Sequence, residues 1–275
     1  MVKDEKMINW LNYYYKTNET VTNAIVKTKQ RCQAIGIENQ DESYDMLLTG
    51  ESGAAGLNTV KDRIVRAIGK EVENWEIWSE WMKNVPGIGP TLAAGLIIKY
   101  YYKHIPVCKK CGSDLNRENG DSGGWICSGC GKKSNGDGLL SFRIGFRDFP
   151  TISKWWAFMG RNIIDGAMPK RKKGVQVNWS TPGRTIGFHI GDQFNRQKED
   201  HPYKAFLIGR KKKHEKNHPD WSKGHIHNAA KNETVKLFLA HFWHVARTIE
   251  GLSVSEPYSG AIMGHTNIIK PFYWE

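Results

Sequence analysis

The 275-residue sequence lacks any uninterrupted apolar run approaching the length of about 18 residues that a membrane-spanning helix needs. Its opening, MVKDEKMINWLNYYY, has no apolar stretch suited to a secretory signal, and the chain is expected to be soluble and intracellular. Cysteine is scarce: there are five, four of them in two close pairs with Cys32 left over, which argues against a disulfide-stapled secreted scaffold. Carboxylates are thin where hydrolysis would need them. In the second half Asp148, Asp165, Asp192, Glu199, Asp200, Asp220 and Glu233 are scattered, and no spacing brings several of them onto one or two metal ions. Neither a Gly-x-Ser-x-Gly elbow nor a phosphate-binding glycine loop is present. No internal repeat is visible.

Positive charge is abundant, with 40 Lys and Arg against 28 Asp and Glu and a formal net charge of +12. It is unevenly placed. Residues 1–138 carry 18 basic and 17 acidic side chains, whereas residues 139–275 carry 22 and 11. A surplus confined to one half is the electrostatic footprint of a polyanion partner, and no separate basic amphipathic helix points to a membrane surface.

Apolar positions recur at helical spacing over 5–35 (Ile8, Leu11, Tyr15, Ile25, Cys32, Ile35) and more clearly over 57–83. There Leu57, Val60, Ile64, Ile68, Val72, Trp75, Trp78 and Met82 form one stripe, which predicts two long helices in a hairpin with Trp75 and Trp78 in its core. The connector GIENQDESYDMLLTGESGAAG is polar and glycine-rich, as a loop should be. Residues 104–138 break the helical periodicity. Beyond them FRDFPTISKWWAFMGRNII resumes it, and MPKRKKGVQVNW, TPGRTIGF and LIGRKKKHEKNH read as basic clusters alternating with glycine turns. A last helix is expected in NETVKLFLAHFWHVARTIEG, with Val235, Leu239, Phe242, Ala246 and Ile249 on one face and a stop at Gly251. The tail EPYSGAIMGHTNIIKPFYWE reads as a packing strap.

The sharpest motif is CKKCG followed by CSGCG. Cys108, Cys111, Cys127 and Cys130 have the spacing that puts four thiolates around one zinc, and four sulfurs close the coordination sphere, so the metal is structural. Lys109, Lys110, Lys132 and Lys133 on these knuckles either face a phosphate backbone or are simply solvated. The run VPGIGPTLAAGLI has the pattern of a helix-hairpin-helix, in which Gly87 and Gly89 bend the backbone and aim amides at a phosphate; a plain helix-helix joint is the alternative. Seven of the ten histidines fall between His201 and His244, interleaved with lysines in a way that suits phosphate and base contacts better than a second metal. Ser180, in NWSTPGR, is read either as a turn serine or as a nucleophile. The candidate nucleic-acid contacts are Gly87, Gly89, Lys154, Arg161, Lys170, Arg171, Lys172, Lys173, Arg184, Arg210, Lys211, Lys212, Lys213, His225, His227, Lys236 and Arg247. For Arg247 an ion pair with Glu250 or another neighbour is the competing role.

In order, VPGIGPTLAAGLI, FPTISKWWAFMG, the segment around STPGRTIG and the terminal ETVKLFLAHFWHVART resemble the coiled coil and C-terminal domain of the DEDD family of bridge-RNA-guided insertion-sequence transposases. The layout is also similar to the Nop domain of box C/D ribonucleoprotein core proteins. In domain content it most resembles nuclease-free Tas proteins of tandem interspaced guide RNA systems. The likeness covers roughly residues 55–103 and 139–270. It implies a mainly α fold: a helical hairpin or coiled coil over 1–84, a helix-hairpin-helix element over 85–103, a zinc ribbon inserted over 104–138, and a basic Nop/transposase-like domain over 139–275. It implies a cytoplasmic, prokaryotic or phage-encoded homodimer that holds a structured guide RNA and directs it to target DNA, with any nuclease acting in trans. Those transposases carry a RuvC-like acidic domain ahead of the coiled coil, and none is expected here, which would leave Ser180, the best match to the recombinase serine, without its partner domain. The competing expectations are a transposase-derived enzyme and a DNA-binding accessory protein.

Overall fold

The computed structural model describes residues 4–36, 42–51, 54–121, 124–164, 168–175, 177–254 and 269–274, and its architecture is mainly helical. No helix among the described residues is long and apolar enough to cross a membrane.

Helix α1 spans Glu5–Ala34 and starts where Asp4 accepts hydrogen bonds from the amides of Lys6 (2.7 Å) and Met7 (3.3 Å), a cap that stabilises a helix by about 1 kcal/mol. Its buried stripe includes Ile8, Leu11, Tyr15, Ile25 and Cys32, and α3 (Leu57–Val72) lies along it. The expected hairpin is therefore present, with a short helix α2 (Glu42–Leu48) inside the connector. The second limb is not one continuous helix. After Val72 the chain passes through a π-turn, Ile77–Trp81, and a 3₁₀ turn, Met82–Asn84. Ile77, Trp78, Trp81 and Met82 all lie in the core, so the widened turn keeps the buried stripe going after α3 ends.

Helix α4 (Pro90–Tyr101) is the centre of the molecule. Ala93, Ala94, Gly95, Leu96, Ile97, Ile98, Tyr100 and Tyr101 are all buried, so it has almost no polar face and must be enclosed by other elements. It touches α1, α3 and α6 (Thr181–Arg196). At Gly95 a Cβ would lie 2.9 Å from Ile186 Cδ1 and 3.0 Å from the Tyr15 hydroxyl, so α1, α4 and α6 meet closely there and an added side chain would have to displace those two side-chain ends. Burial and the nearby Glu19 carboxylate raise the Tyr15 pKa to about 12.

The chain then leaves the core on a two-stranded antiparallel arm. Strand β1 (Tyr102–Cys108) pairs with β5 (Leu140–Phe146) in a register running from Tyr102 opposite Phe146 to Cys108 opposite Leu140. At its tip β2 (Leu115–Asp121), β3 (Trp125–Cys127) and β4 (Lys133–Ser134) form a second small sheet in that order.

Beyond the arm come α5 (Ile152–Phe158), α6, α7 (Pro202–Asn217) and α8 (Lys223–Ile249). TPGRTIGF and LIGRKKKHEKNH, expected as clusters between glycine turns, are instead helical. The glycines of α6 recur every four residues on one buried face because neighbours crowd it. A Cβ would meet Met159 Sδ at 2.7 Å from Gly183, an Arg161 guanidinium nitrogen at 2.7 Å from Gly187, and Lys231 Cγ at 2.7 Å from Gly191. Helix α8 also begins earlier than its apolar stripe, at a Ser222 cap that accepts from the His225 amide at 3.2 Å.

Indole N–H groups tie these layers to backbone carbonyls. Trp243 donates to Phe149 O (2.6 Å), Trp156 to Lys236 O (3.0 Å) and Trp81 to Phe272 O (2.7 Å). The last of these holds the 269–274 segment, as a strap would be held; residues 256–268 and 275 of the expected strap lie outside the described residues. His241 holds it too. The Tyr203 hydroxyl donates to Nδ1 (2.7 Å) and Nε2–H donates to Ile269 O (3.0 Å), a pattern that needs the neutral ring.

Two outcomes follow from this packing. Gly95→Val should lower the urea midpoint by the equivalent of roughly 1–3 kcal/mol at constant m-value; an unchanged midpoint would show a looser crossing. Burial lowers the His241 pKa to about 4, below its unfolded value, so its contribution is complete above neutral pH and is lost as the pH falls towards 4. That loss is on the order of 3 kcal/mol. In His241→Gln, measured by denaturation across this range, the pH slope should flatten.

Candidate metal centre and nucleic-acid interface

The four cysteines come together at the tip of the β1–β5 arm. Their sulfurs all lie within 4.8 Å of one another, with Cys108 to Cys130 at 3.9 Å and Cys111 to Cys127 at 3.3 Å. Tetrahedral thiolates on zinc, with bonds near 2.3 Å, stand about 3.8 Å apart, so the set fits such an ion. Each pair sits on a tight turn whose following glycine, Gly112 or Gly131, has a positive φ of 73° or 67°. These turns point amides at sulfur, as in Cys130 N–H to Cys127 Sγ at 3.4 Å. Amides of Lys110 and Cys111 lower the Cys108 pKa, and the amide and hydroxyl of Ser113 bring the Cys111 pKa down to about 6, whereas at Cys127 the Cys130 amide is outweighed by burial and the Cys111 thiol, which raise the pKa to about 11. The apolar support is small: Leu115, Trp125, Leu139 and the two buried cysteines, Cys108 and Cys127. A core of this size does not hold a fold without help. Lys133 is ion-paired with Glu118, while Lys109, Lys110 and Lys132 are exposed.

The basic half divides into three groups. Lys154, Lys170, Arg171, Lys172, Lys173, Lys212, Lys213 and His225 are exposed. Arg184, Arg210, Lys211, His227 and Lys236 are half-buried and partly engaged. Arg184 donates to Pro169 O and lies 5.7 Å over the Trp179 ring, tying the 168–175 segment to α6. Arg210 pairs with Glu233, and Lys236 sits 4.4 Å over Trp156. Arg161 and Arg247 form the third group, and the expectation that they contact nucleic acid needs correction. Both are buried. Arg161 donates to Asn232 Oδ1 (2.9 Å) and Arg184 O (3.0 Å), with α6 pressed against its guanidinium. Arg247 donates to Asp148 (3.0 Å), Phe149 O (3.1 Å) and Ser253 O (2.7 Å); the competing ion-pair role is the observed one, with Asp148 as the partner shown.

Like charges crowd where α7 and α8 face each other. Burial lowers the Lys211 pKa, and Lys204 lowers it further; burial and then Lys211 and Lys231 lower that of His227. Asp192, 2.9 Å from Lys231, offsets part of this.

An open pocket of about 480 Å³ lies at the start of α6, lined by Lys99, Arg147, Phe158, Val177, Asn178, Trp179 and Ser180. Burial and the neighbouring Lys16 lower the Lys99 pKa, and burial lowers that of Arg147. Arg147 lies 4.7 Å over Phe158 and donates to Tyr102 O, so its position is fixed. The Ser180 hydroxyl accepts from the Gly183 amide at 3.0 Å and caps α6, which is the turn-serine role. Lys99, Arg147 and Trp179 were not apparent as site residues. They come from three separate elements, and the only sequence signal was a lone lysine ending the apolar run of α4.

The glycine-bearing turn before α4 has two faces. Gly87, at φ 91°, lies against α6, where a Cβ would meet Gln197 Nε2 at 2.8 Å, whereas Gly89 opens to solvent at the uncapped start of α4. The turn is thus both a joint and an exposed helix end.

Compared with known proteins, the chain matches no family model, no curated protein and no solved structure.

Elemental analysis of protein purified without chelator should find one thiophilic divalent ion per chain. Cys127→Ser should lose it and expose the arm tip to protease while the helical core stays folded; no metal in either protein would contradict the site.

Proposed function

We propose that this protein holds a small structured guide RNA and lets that RNA pair with target DNA, without a nuclease of its own. The observation that carries this reading is the pairing state of the exposed cations. Among the described residues, Lys170, Arg171, Lys172, Lys173, Lys212 and Lys213 have no acidic partner, while the buried arginines all have one or a carbonyl. Uncompensated cations destabilise a compact fold by mutual repulsion, and a phosphate backbone relieves it. The pocket beside α6, with two cations and two aromatic rings, adds a place for a phosphate and its sugar or base.

In this reading the arm tip is a zinc ribbon whose Cys108, Cys111, Cys127 and Cys130 hold a structural zinc that supplies folding energy to the tip. The turn at Gly87 and Gly89 is a helix-hairpin-helix element offering amides to a backbone phosphate, and α4 to α8 form a Nop/transposase-like domain. Trp10 and Tyr13, rings 5.8 Å apart and about half exposed on α1, support a homodimer through that helix.

A transposase-derived enzyme is the second reading, and one observation favours it. Ser180 shares its pocket with Lys99, an amine whose basicity burial has lowered. Strand cleavage or strand transfer abolished by Ser180→Ala, with binding intact, would establish it.

RNA affinity should fall steeply with salt, with a logarithmic slope of about −0.7 to −0.9 per phosphate neutralised. Replacing Lys211, Lys212 and Lys213 by alanine should flatten the slope by roughly one to three units. An unchanged slope in filter binding would place the polyanion elsewhere.

A further inference from the structure

We infer that the outer face of His225 is a stacking platform for an unpaired nucleobase; this rests on the nucleic-acid reading above and specifies the kind of contact. Helix α7 ends at Asn217 and α8 starts at Lys223, and the connection between them builds a column of rings. Trp221 is sandwiched between His218, at 4.0 Å and 8°, and His225, at 4.0 Å and 3°. His214 lies beside the stack, 6.0 Å from His218 and 5.6 Å from Trp221, and its Nε2 lies 3.3 Å from Glu233.

The column is built in advance of any ligand. The His218 amide donates to His214 O (2.8 Å), the Trp221 amide to His218 O (3.0 Å), and the His225 amide to Ser222 Oγ (3.2 Å), which fixes the backbone under every ring. The stack runs from half-buried rings to an open one: His218 and Trp221 are half-buried and His225 is exposed. One face of His225 meets Trp221, so its second face is the one a base would take. Lys212, Lys213, Lys216 and Lys223 are exposed on the turns that flank the column.

A column serving only stability would end against the core, as Trp75, Trp81 and Trp155 do, each at most 1% exposed. A metal site is disfavoured by the same geometry. Face-to-face rings hold their nitrogen lone pairs edgewise, so those of His218 and His225 do not converge, and the cysteines form the one metal-competent cluster among the described residues. Stacked rings amid lysines are what a single strand uses: the cations track phosphate, and a base becomes the next ring in the column.

The test is fluorescence anisotropy at low salt with a labelled short oligoadenylate and an abasic strand of equal length. The wild-type protein should prefer the base-bearing strand by roughly 5- to 150-fold, the worth of one stacked base. His225→Ala should abolish that preference and leave abasic binding unchanged, and His225→Phe should retain it. Equal affinity of the wild type for both strands, or equal losses on both in His225→Ala, would overturn the platform and leave the nucleic-acid reading standing. Binding of neither strand, nor of structured RNA, would overturn both.

Discussion

The contact on which the rest of the structure depends is the crossing at Gly95, where the Tyr15 hydroxyl of α1 and the Ile186 side chain of α6 close on the backbone of α4. A helix as apolar as α4 has no face for water, so its partners must enclose it, and the side chain missing at Gly95 sets how near they come. This crossing links the two halves of the sequence. Through it the α1–α3 hairpin fixes α6, and α6 in turn carries the Ser180 cap, the pocket beside it and the Arg184 tether of the basic 168–175 segment. The ends of α4 project the other parts, with the glycine turn at its start and the cysteine-bearing arm at its finish.

Charge is sorted by depth around that frame. Arg161 and Arg247 lie inside and Arg147 is half-buried, each meeting carbonyls or a polar side chain, because a buried guanidinium without acceptors would be costly. The lysines of the 170–173 and 212–213 clusters stay outside, whereas Lys231 is buried against Asp192. Such sorting lets a basic chain keep a conventional core of aromatic and aliphatic residues while its outer positive charge is left for a partner.

Much of this was legible in the sequence, and the misses have physical causes. The α1 and α3 stripes, the burial of Trp75 and Trp78 and the cysteine cluster were readable because each follows from local spacing. Helices α6 and α7 were not. Glycine and lysine runs imitate loops, and what makes α6 helical is tertiary: its glycines face Met159, Arg161 and Lys231, residues invisible to any local window. The break after Val72 was hidden because a π-turn keeps the apolar residues coming at nearly helical intervals. Arg161 and Arg247 looked like surface cations because their acceptors, Asn232 and Asp148, are 71 and 99 residues away. The ring column was partly visible as a cluster of histidines, but its order depended on Ser222 starting α8 earlier than the apolar stripe suggested.

The central claim is that the protein carries a defined RNA. Its most direct test is to extract and sequence the nucleic acid that accompanies the protein when it is purified, at low salt and with nuclease inhibitors, from cells expressing it at its native locus. The account predicts one abundant RNA species of discrete length, displaced by high salt. A heterogeneous smear of cellular RNA, or no nucleic acid at all, would contradict it.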